Sequence, residues 1–170
     1  KQMSDELRLA LTVLEADIEA RVVVLEGEGK SFSAGADIAE MRASGAATFE
    51  QNRADAEGLA GLFQALDALP KPVIARVHGM ATAAGCQLVA MCDLAVAASD
   101  TQFAVSGVNL GLFCSTPSVA LARNLGRKQA FEMLVTGEFI SAEQAREKGL
   151  VNRVAAPEDL DTEVERLVAS

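Results

Sequence analysis

The sequence predicts an α/β domain, on two observations. Short runs of β-branched and small apolar residues, Val22-Val23-Val24-Leu25 and Val73-Ile74-Ala75-Arg76-Val77 among them, alternate with longer stretches whose leucines return every third or fourth residue. Strands that alternate with helices pair in parallel, because each helix carries the chain back to where the next strand starts. Half of the 170 residues are hydrophobic, which supplies a sizeable core for one domain.

Ser4-Asp5-Glu6 opens the first helix, its acids at the positive end of the helix dipole, with Leu7, Leu11, Leu14 and Ile18 expected along one face. Residues 21–26 read as a buried strand that Gly27-Glu28-Gly29 stops. A loop of small residues, 31–36, leads to a short helix expected over 37–42. Residues 48–69 form a long helix, with Leu59, Leu62, Phe63, Leu66 and Leu69 as a core-facing stripe. Pro70-Lys71-Pro72 ends it, because proline lacks an N–H and disfavours helix in the residue before it. Strands at 73–77 and 94–98 flank a helix of small residues at 84–92. Helices are expected over 117–125, 127–135, 142–148 and 157–168, with a short strand at 150–154.

Composition removes several classes of function. A net charge of −9 repels nucleic acid and anionic membranes, so neither is an expected partner. An anionic ligand must then be met by local donors: a few lysines and arginines, helix N-termini and backbone N–H groups. No apolar run approaches the ~20 residues that span a bilayer. The expected setting is the cytoplasm, or the mitochondrion if the source is eukaryotic and a transit peptide precedes Lys1. Cys86, Cys92 and Cys114 lack metal-ligand spacing and the chain has one histidine, so no metal site is expected. Cys86 and Cys92 read as small core residues. Gly29-Lys30-Ser31 follows a strand like the end of a phosphate-cradling loop, but the glycine needed five residues earlier is Val24. Nucleotide hydrolysis is excluded.

The chemistry is expected at two similar junctions, each running from a buried strand through a loop of small residues into a helix. The first is Phe32-Ser33-Ala34-Gly35-Ala36-Asp37, and the second is His78-Gly79-Met80-Ala81-Thr82-Ala83-Ala84-Gly85-Cys86. Small side chains let a ligand approach the backbone, and a helix N-terminus offers unpaired N–H groups with partial positive charge. Two such groups aimed at one point make an oxyanion hole. Spacing alone leaves ordinary strand–helix turns as the alternative.

The residues from Phe32 to Met41 resemble the F-x-A-G-A-D-[IL]-x-E-M stretch of the crotonase (enoyl-CoA hydratase/isomerase) superfamily. Val73 to Gly79, with Gly85-Cys86-Gln87-Leu88, is similar to its P-V-I-A-x-V-N-G and G-G-[GC]-x-E-L segments. Leu134-Val135-Thr136-Gly137-Glu138 and Ile140 to Ala145 resemble its later L-x-T-G-[DE] and [IL]-x-A-x-[ED]-A segments, in family order. Ala83 to Ala90 and Gly107 to Pro117 resemble the corresponding stretches of the enoyl-CoA hydratase domain-containing proteins of mitochondria and their bacterial counterparts. The resemblance implies a crotonase-like spiral of ββα units over residues 1–170, with the family's opening β-hairpin and closing helices outside that span. It implies a homotrimer or hexamer, and an acyl-CoA thioester as substrate, with coenzyme A part of the substrate and no separate cofactor.

The resemblance also implies roles. The thioester oxygen is held by the backbone N–H groups of Ala34 and Ala84, and coenzyme A lies along Ala36, Asp37 and Ile38 with Lys30 as a phosphate contact. The hydratases' two catalytic glutamates fall at Gln87 and at, or close to, Gly107. Neither residue can take up a proton, and no carboxylate lies between Asp100 and Glu132. Hydration is therefore expected to be weak or altered, with His78 and Cys114 as candidate substitutes and Ser106 and Asn109 as loop caps. Glu132 and Glu138 are expected as salt-bridge partners. The alternatives are a non-catalytic acyl-CoA-binding or assembly protein, and a hydrolase using Cys86 with His78.

Overall fold

The computed structural model describes residues 2–37, 39–40 and 45–170, which fall into two compact units. The first comprises Lys1–Val23 and Ala36–Pro72. Its opening helix, α1 (Gln2–Ala16), buries Leu11 and half-buries Leu7 and Leu14. Ile18, expected on that face, lies beyond the helix end and is 90% exposed. The Asp17 carboxylate accepts the N–H groups of Glu19 and Ala20, a local turn that competes with continued helix. Lys71 Nζ donates to the carbonyls of Leu14 and Asp17, where the helix has unpaired acceptors.

The long helix, α2 (Phe49–Ala68), starts in a capping box: Thr48 Oγ1 accepts the Gln51 N–H and Gln51 Oε1 accepts the Thr48 N–H. Leu62, Phe63 and Leu66 are buried along it, and it stops before Pro70 as expected. Ala39 and Glu40 are helical, with Asp37 Oδ1 accepting both their N–H groups. Asp37, expected as the first residue of that helix, is not helical, and Ile38, Met41 and Arg42 lie outside the described residues.

The second unit, Val24–Gly35 and Val73–Ser170, carries two sheets. The larger has the order β1 (Val23–Glu26), β2 (Val73–Val77), β4 (Leu94–Ala98), β7 (Arg153–Ala155). Its β2–β4 and β4–β7 pairs are parallel, with Ala75 opposite Ala95 and Ala97 opposite Val154. The smaller has the order β3 (Met80–Thr82), β5 (Gln102–Ala104), β6 (Ile140–Ser141). There β3–β5 is parallel and β5–β6 antiparallel. A strand of the large sheet, a strand of the small one and then helix recur along the chain: β2-β3-α3 (Ala84–Met91), then β4-β5 followed by α4 (Ser115–Asn124) and α5 (Arg127–Thr136). The ββα repeat is the expected architecture.

Three sequence readings change. The first strand is an edge strand whose residues alternate between half-buried and exposed, where burial on both faces was expected. The small sheet was not read from the sequence, because its strands are too short to show a period of two. The last strand begins at Arg153, since the Leu150 and Val151 N–H groups turn back to the Ala145 carbonyl at the end of α6 (Ala142–Lys148). Asn152 then docks on β4, donating its N–H to the Ala95 carbonyl and accepting the Ala95 N–H on Oδ1.

The core joins Ala75, Val77, Ala95 and Ala97 of the large sheet to Phe103, Leu121 and Met133. A final helix, α7 (Leu160–Val168), buries Leu160 and Val164. No described helix is long and apolar enough to cross a membrane.

Candidate functional site

The two junctions meet. Ser33 forms a parallel bridge with Ala81, donating to the Met80 carbonyl at 3.1 Å and accepting the Thr82 N–H at 2.9 Å. The buried Thr82 hydroxyl donates to the Ala34 carbonyl at 2.9 Å. Glycine at two positions permits the approach. A Cβ on Gly85 would lie 2.3 Å from the Ser33 carbonyl oxygen. Gly35 turns at φ +96°, and a Cβ there would lie 3.0 Å from Ala83 Cβ and 3.7 Å from the Ala84 nitrogen.

Ala83 is the one non-glycine residue at positive φ among the described residues, at φ 51°, ψ −116°. That conformation swings the chain from β3 into α3. Its N–H is tied to the Ala104 carbonyl and its carbonyl accepts the Gln87 N–H. The next N–H, on Ala84, is the first of α3 and has no partner among the described residues. Dipole and unpaired donor therefore coincide at one atom. Ala34 is placed differently. Its trans peptide turns the Ser33 carbonyl toward Thr82 and Gly85, so the Ala34 N–H points to the opposite side.

One turn into α3, Gln87 is 6% exposed. Its Nε2 faces Met91 Sδ at 3.9 Å, and its Oε1 is buried without a partner among the described residues. Gly107 lies in a 3-10 turn, Ser106–Leu110, without the positive φ that glycine uniquely tolerates. Space explains it instead. A Cβ there would lie 2.6 Å from both Cys114 Sγ and the Leu112 carbonyl oxygen, so the Cys114 sulfur fills the volume of a position-107 side chain. Asn109 Nδ2 donates to the Gly137 carbonyl at 3.5 Å, a loop brace as expected. Glu132 pairs with Lys148 at 3.3 Å.

His78 does not join this group. Its Nε2 donates to the Gly29 carbonyl at 3.0 Å, and its ring lines an open cleft of about 970 Å³ with Lys30, Arg76, Asp100 and Asp161. Ala34, Ala84, Gln87 and Gly107 are not in that lining. Arg76 crosses the cleft wall to pair with Glu26 at 3.7 Å and with Asp161. The Cys86 thiol is fully buried, and burial, reinforced by Cys114, pushes it up to about 12, so it is inert as a nucleophile. Among the described residues no hydrogen bond joins Cys86 to His78, whose Nε2 is held by Gly29. Three contributors went unread in the sequence: Thr82, Ala83 and the space-filling role of Cys114. Their parts depend on contacts and torsions between segments, which leave no local pattern.

Known proteins match this chain along its length. The Enoyl-CoA hydratase/isomerase family matches residues 1–170. Enoyl-CoA hydratase domain-containing protein 3, mitochondrial, of Xenopus laevis is 48% identical over 151 residues, covering 89% of this chain and 51% of that protein. The crystal structure of enoyl-CoA hydratase from Mycobacterium smegmatis is 57% identical with a TM-score of 0.93, over 98% of this chain and 64% of that one. The crystal structure of human enoyl Coenzyme A hydratase domain-containing protein 3 is 43% identical with a TM-score of 0.84, over 99% and 66%. The chain spans about half the length of the curated relatives it matches.

Proposed function

The chain belongs to the enoyl-CoA hydratase/isomerase family, and from that membership we propose that it binds acyl-CoA thioesters and polarises their carbonyl with backbone N–H groups. The unpartnered Ala84 N–H, at the positive end of α3 beside the Gly35 turn, carries the reading. Charge that develops on a thioester oxygen is stabilised most by donors already fixed in place, and this one is fixed by the Ala83 torsion. The second donor comes from the turn that follows Ser33: Ala34 by resemblance, with Ala36 the next N–H past Gly35. Coenzyme A runs along Ala36, Asp37 and Ile38, with Lys30 toward its phosphates. The assembly is a homotrimer or hexamer. The setting is acyl-CoA metabolism in the cytoplasm, or in the mitochondrion as the vertebrate relatives' names state for those proteins.

Hydration is weak in this reading. An amide at Gln87 cannot shuttle a proton, and Gly107 has no side chain. A general base contributes ~10²–10⁴-fold. A second reading, a binder without turnover, is favoured by the Cys114 sulfur standing where a position-107 side chain would begin. Calorimetry and turnover on the full-length protein with a panel of acyl-CoAs separate the two. The first predicts binding of crotonyl-CoA with hydration at least ~10²-fold below a hydratase carrying both glutamates. Binding with no turnover on any panel member selects the second. Failure to bind every acyl-CoA overturns both.

A further inference from the structure

We infer that Thr82 is a positioning residue for thioester polarisation: its hydroxyl, by donating to the Ala34 carbonyl, holds the turn that presents the Ala34 N–H to the thioester oxygen. The inference rests on the acyl-CoA reading above and deepens it.

Ala34 lies between two peptide groups, and both are held. In the first, the Ser33 carbonyl accepts the Thr82 N–H at 2.9 Å. In the second, the Ala34 carbonyl accepts the Thr82 hydroxyl at 2.9 Å, and the Gly35 N–H donates to Ser33 Oγ at 3.3 Å. Of the polar groups in these two peptides, the Ala34 N–H alone has no partner among the described residues. A single residue at the end of β3 therefore grips both sides of Ala34, once with its backbone and once with its side chain.

The grip is needed because the turn has little rigidity of its own. Ala34 is exposed, and Gly35, at φ +96°, is the residue type that takes either sign of φ at little cost. Thr82 is by contrast fixed: it is 8% exposed and sits in the small sheet opposite Ala104. Its branched side chain has few χ1 states, so the hydroxyl stands in place before a ligand arrives. One such hydrogen bond adds little to overall stability, yet a group misplaced by ~1 Å can cost ~10²-fold in rate. Thr82 acts through Ala34 and needs no contact with substrate.

The test uses full-length protein and carbonyl-labelled butyryl-CoA, read by infrared spectroscopy, with free coenzyme A as the control ligand. Thr82→Val keeps the branched shape and removes the hydroxyl. It is expected to bring the thioester band about halfway back to its value in water, since Ala84 remains as one of two donors. Free coenzyme A, which has no thioester, is expected to bind as it does to the wild type. Thr82→Ser keeps the hydroxyl and is expected to keep the wild-type band. A wild-type band in folded Thr82→Val would overturn the inference and leave the acyl-CoA reading standing. So would a Thr82→Ser band displaced as far as that of Thr82→Val, or weakened binding of free coenzyme A, which would mark a general loosening. Thr82→Ala replaces the valine variant if that does not fold; if neither folds, the hydroxyl serves the fold rather than the site and the inference falls. If the wild type does not bind butyryl-CoA, or binds it with the band at its solution value, the acyl-CoA reading fails and takes the inference with it.

Discussion

A methyl group added at Gly107 would begin 2.6 Å from both Cys114 Sγ and the Leu112 carbonyl oxygen, so this position resists any side chain. Gly107→Ala is expected to lower stability by ~1–3 kcal/mol in urea melts. Cys114→Ala in the same chain should recover part of that loss and only part, because the Leu112 carbonyl remains. Restoring a glutamate here therefore requires the loop to be rebuilt. The buried cysteines make a pH prediction. Burial pushes the thiols of Cys86 and Cys92 from 9.0 up to about 12, with the neighbours Cys114 and Asp93 adding to it. Between those pH values the unfolded chain ionises and the folded chain does not, so the unfolded state holds fewer protons and stability falls as pH rises. The urea midpoint should decline above about pH 9, and less steeply in Cys86→Ala, compared with its own value at pH 8. An unchanged slope in that variant would show that Cys86 ionises freely in the native state.

At the scale of elements, the entry to α3 holds a torsion that alanine dislikes. Ala83 sits at φ 51°, ψ −116°, a conformation that suits glycine. Ala83→Gly should raise stability by about 1 kcal/mol while leaving the Ala84 N–H in place. The opposite sign belongs to Thr48→Ala, which removes the capping box of α2 and should cost about 1 kcal/mol. The long elements were legible for plain reasons. β2 and β4 appeared at their observed bounds because they are unbroken apolar runs between strong stops, and α2 because its leucines keep helical spacing up to Pro70. The small sheet was invisible because two- and three-residue strands carry no period, and its pairing is made by distant segments such as Gln102 against Ser141. At the site, the small residues of both junctions marked a place of close backbone approach. The Ala83 torsion, the direction of the Ala34 peptide and the clash at Gly107 depend on three-dimensional contact and could not be marked.

For the whole molecule, Leu110, Leu112 and Phe113 on the loop before α4, together with Phe131 on α5 and Phe139 after it, are each about half exposed or more. Exposed apolar residues on neighbouring elements suit the proposed homotrimer or hexamer. Light scattering on the full-length protein should give a mass that is a multiple of three chains at micromolar concentration; a monomer would contradict it. The central claim concerns one backbone atom pair, and an amide-to-ester replacement reaches it without altering a side chain. Proline at 84 is a poorer probe, because the residue before proline avoids the torsion that Ala83 holds. Carbonyl-labelled butyryl-CoA bound to the full-length protein should show its thioester stretch displaced to lower frequency than in water. Replacing the Ala84 N–H by an ester oxygen should move that band back toward the solution value, and the same replacement at Ala34 and at Ala36 should identify the second donor. A band unmoved by the Ala84 ester, in a folded protein that still binds butyryl-CoA, would contradict the account.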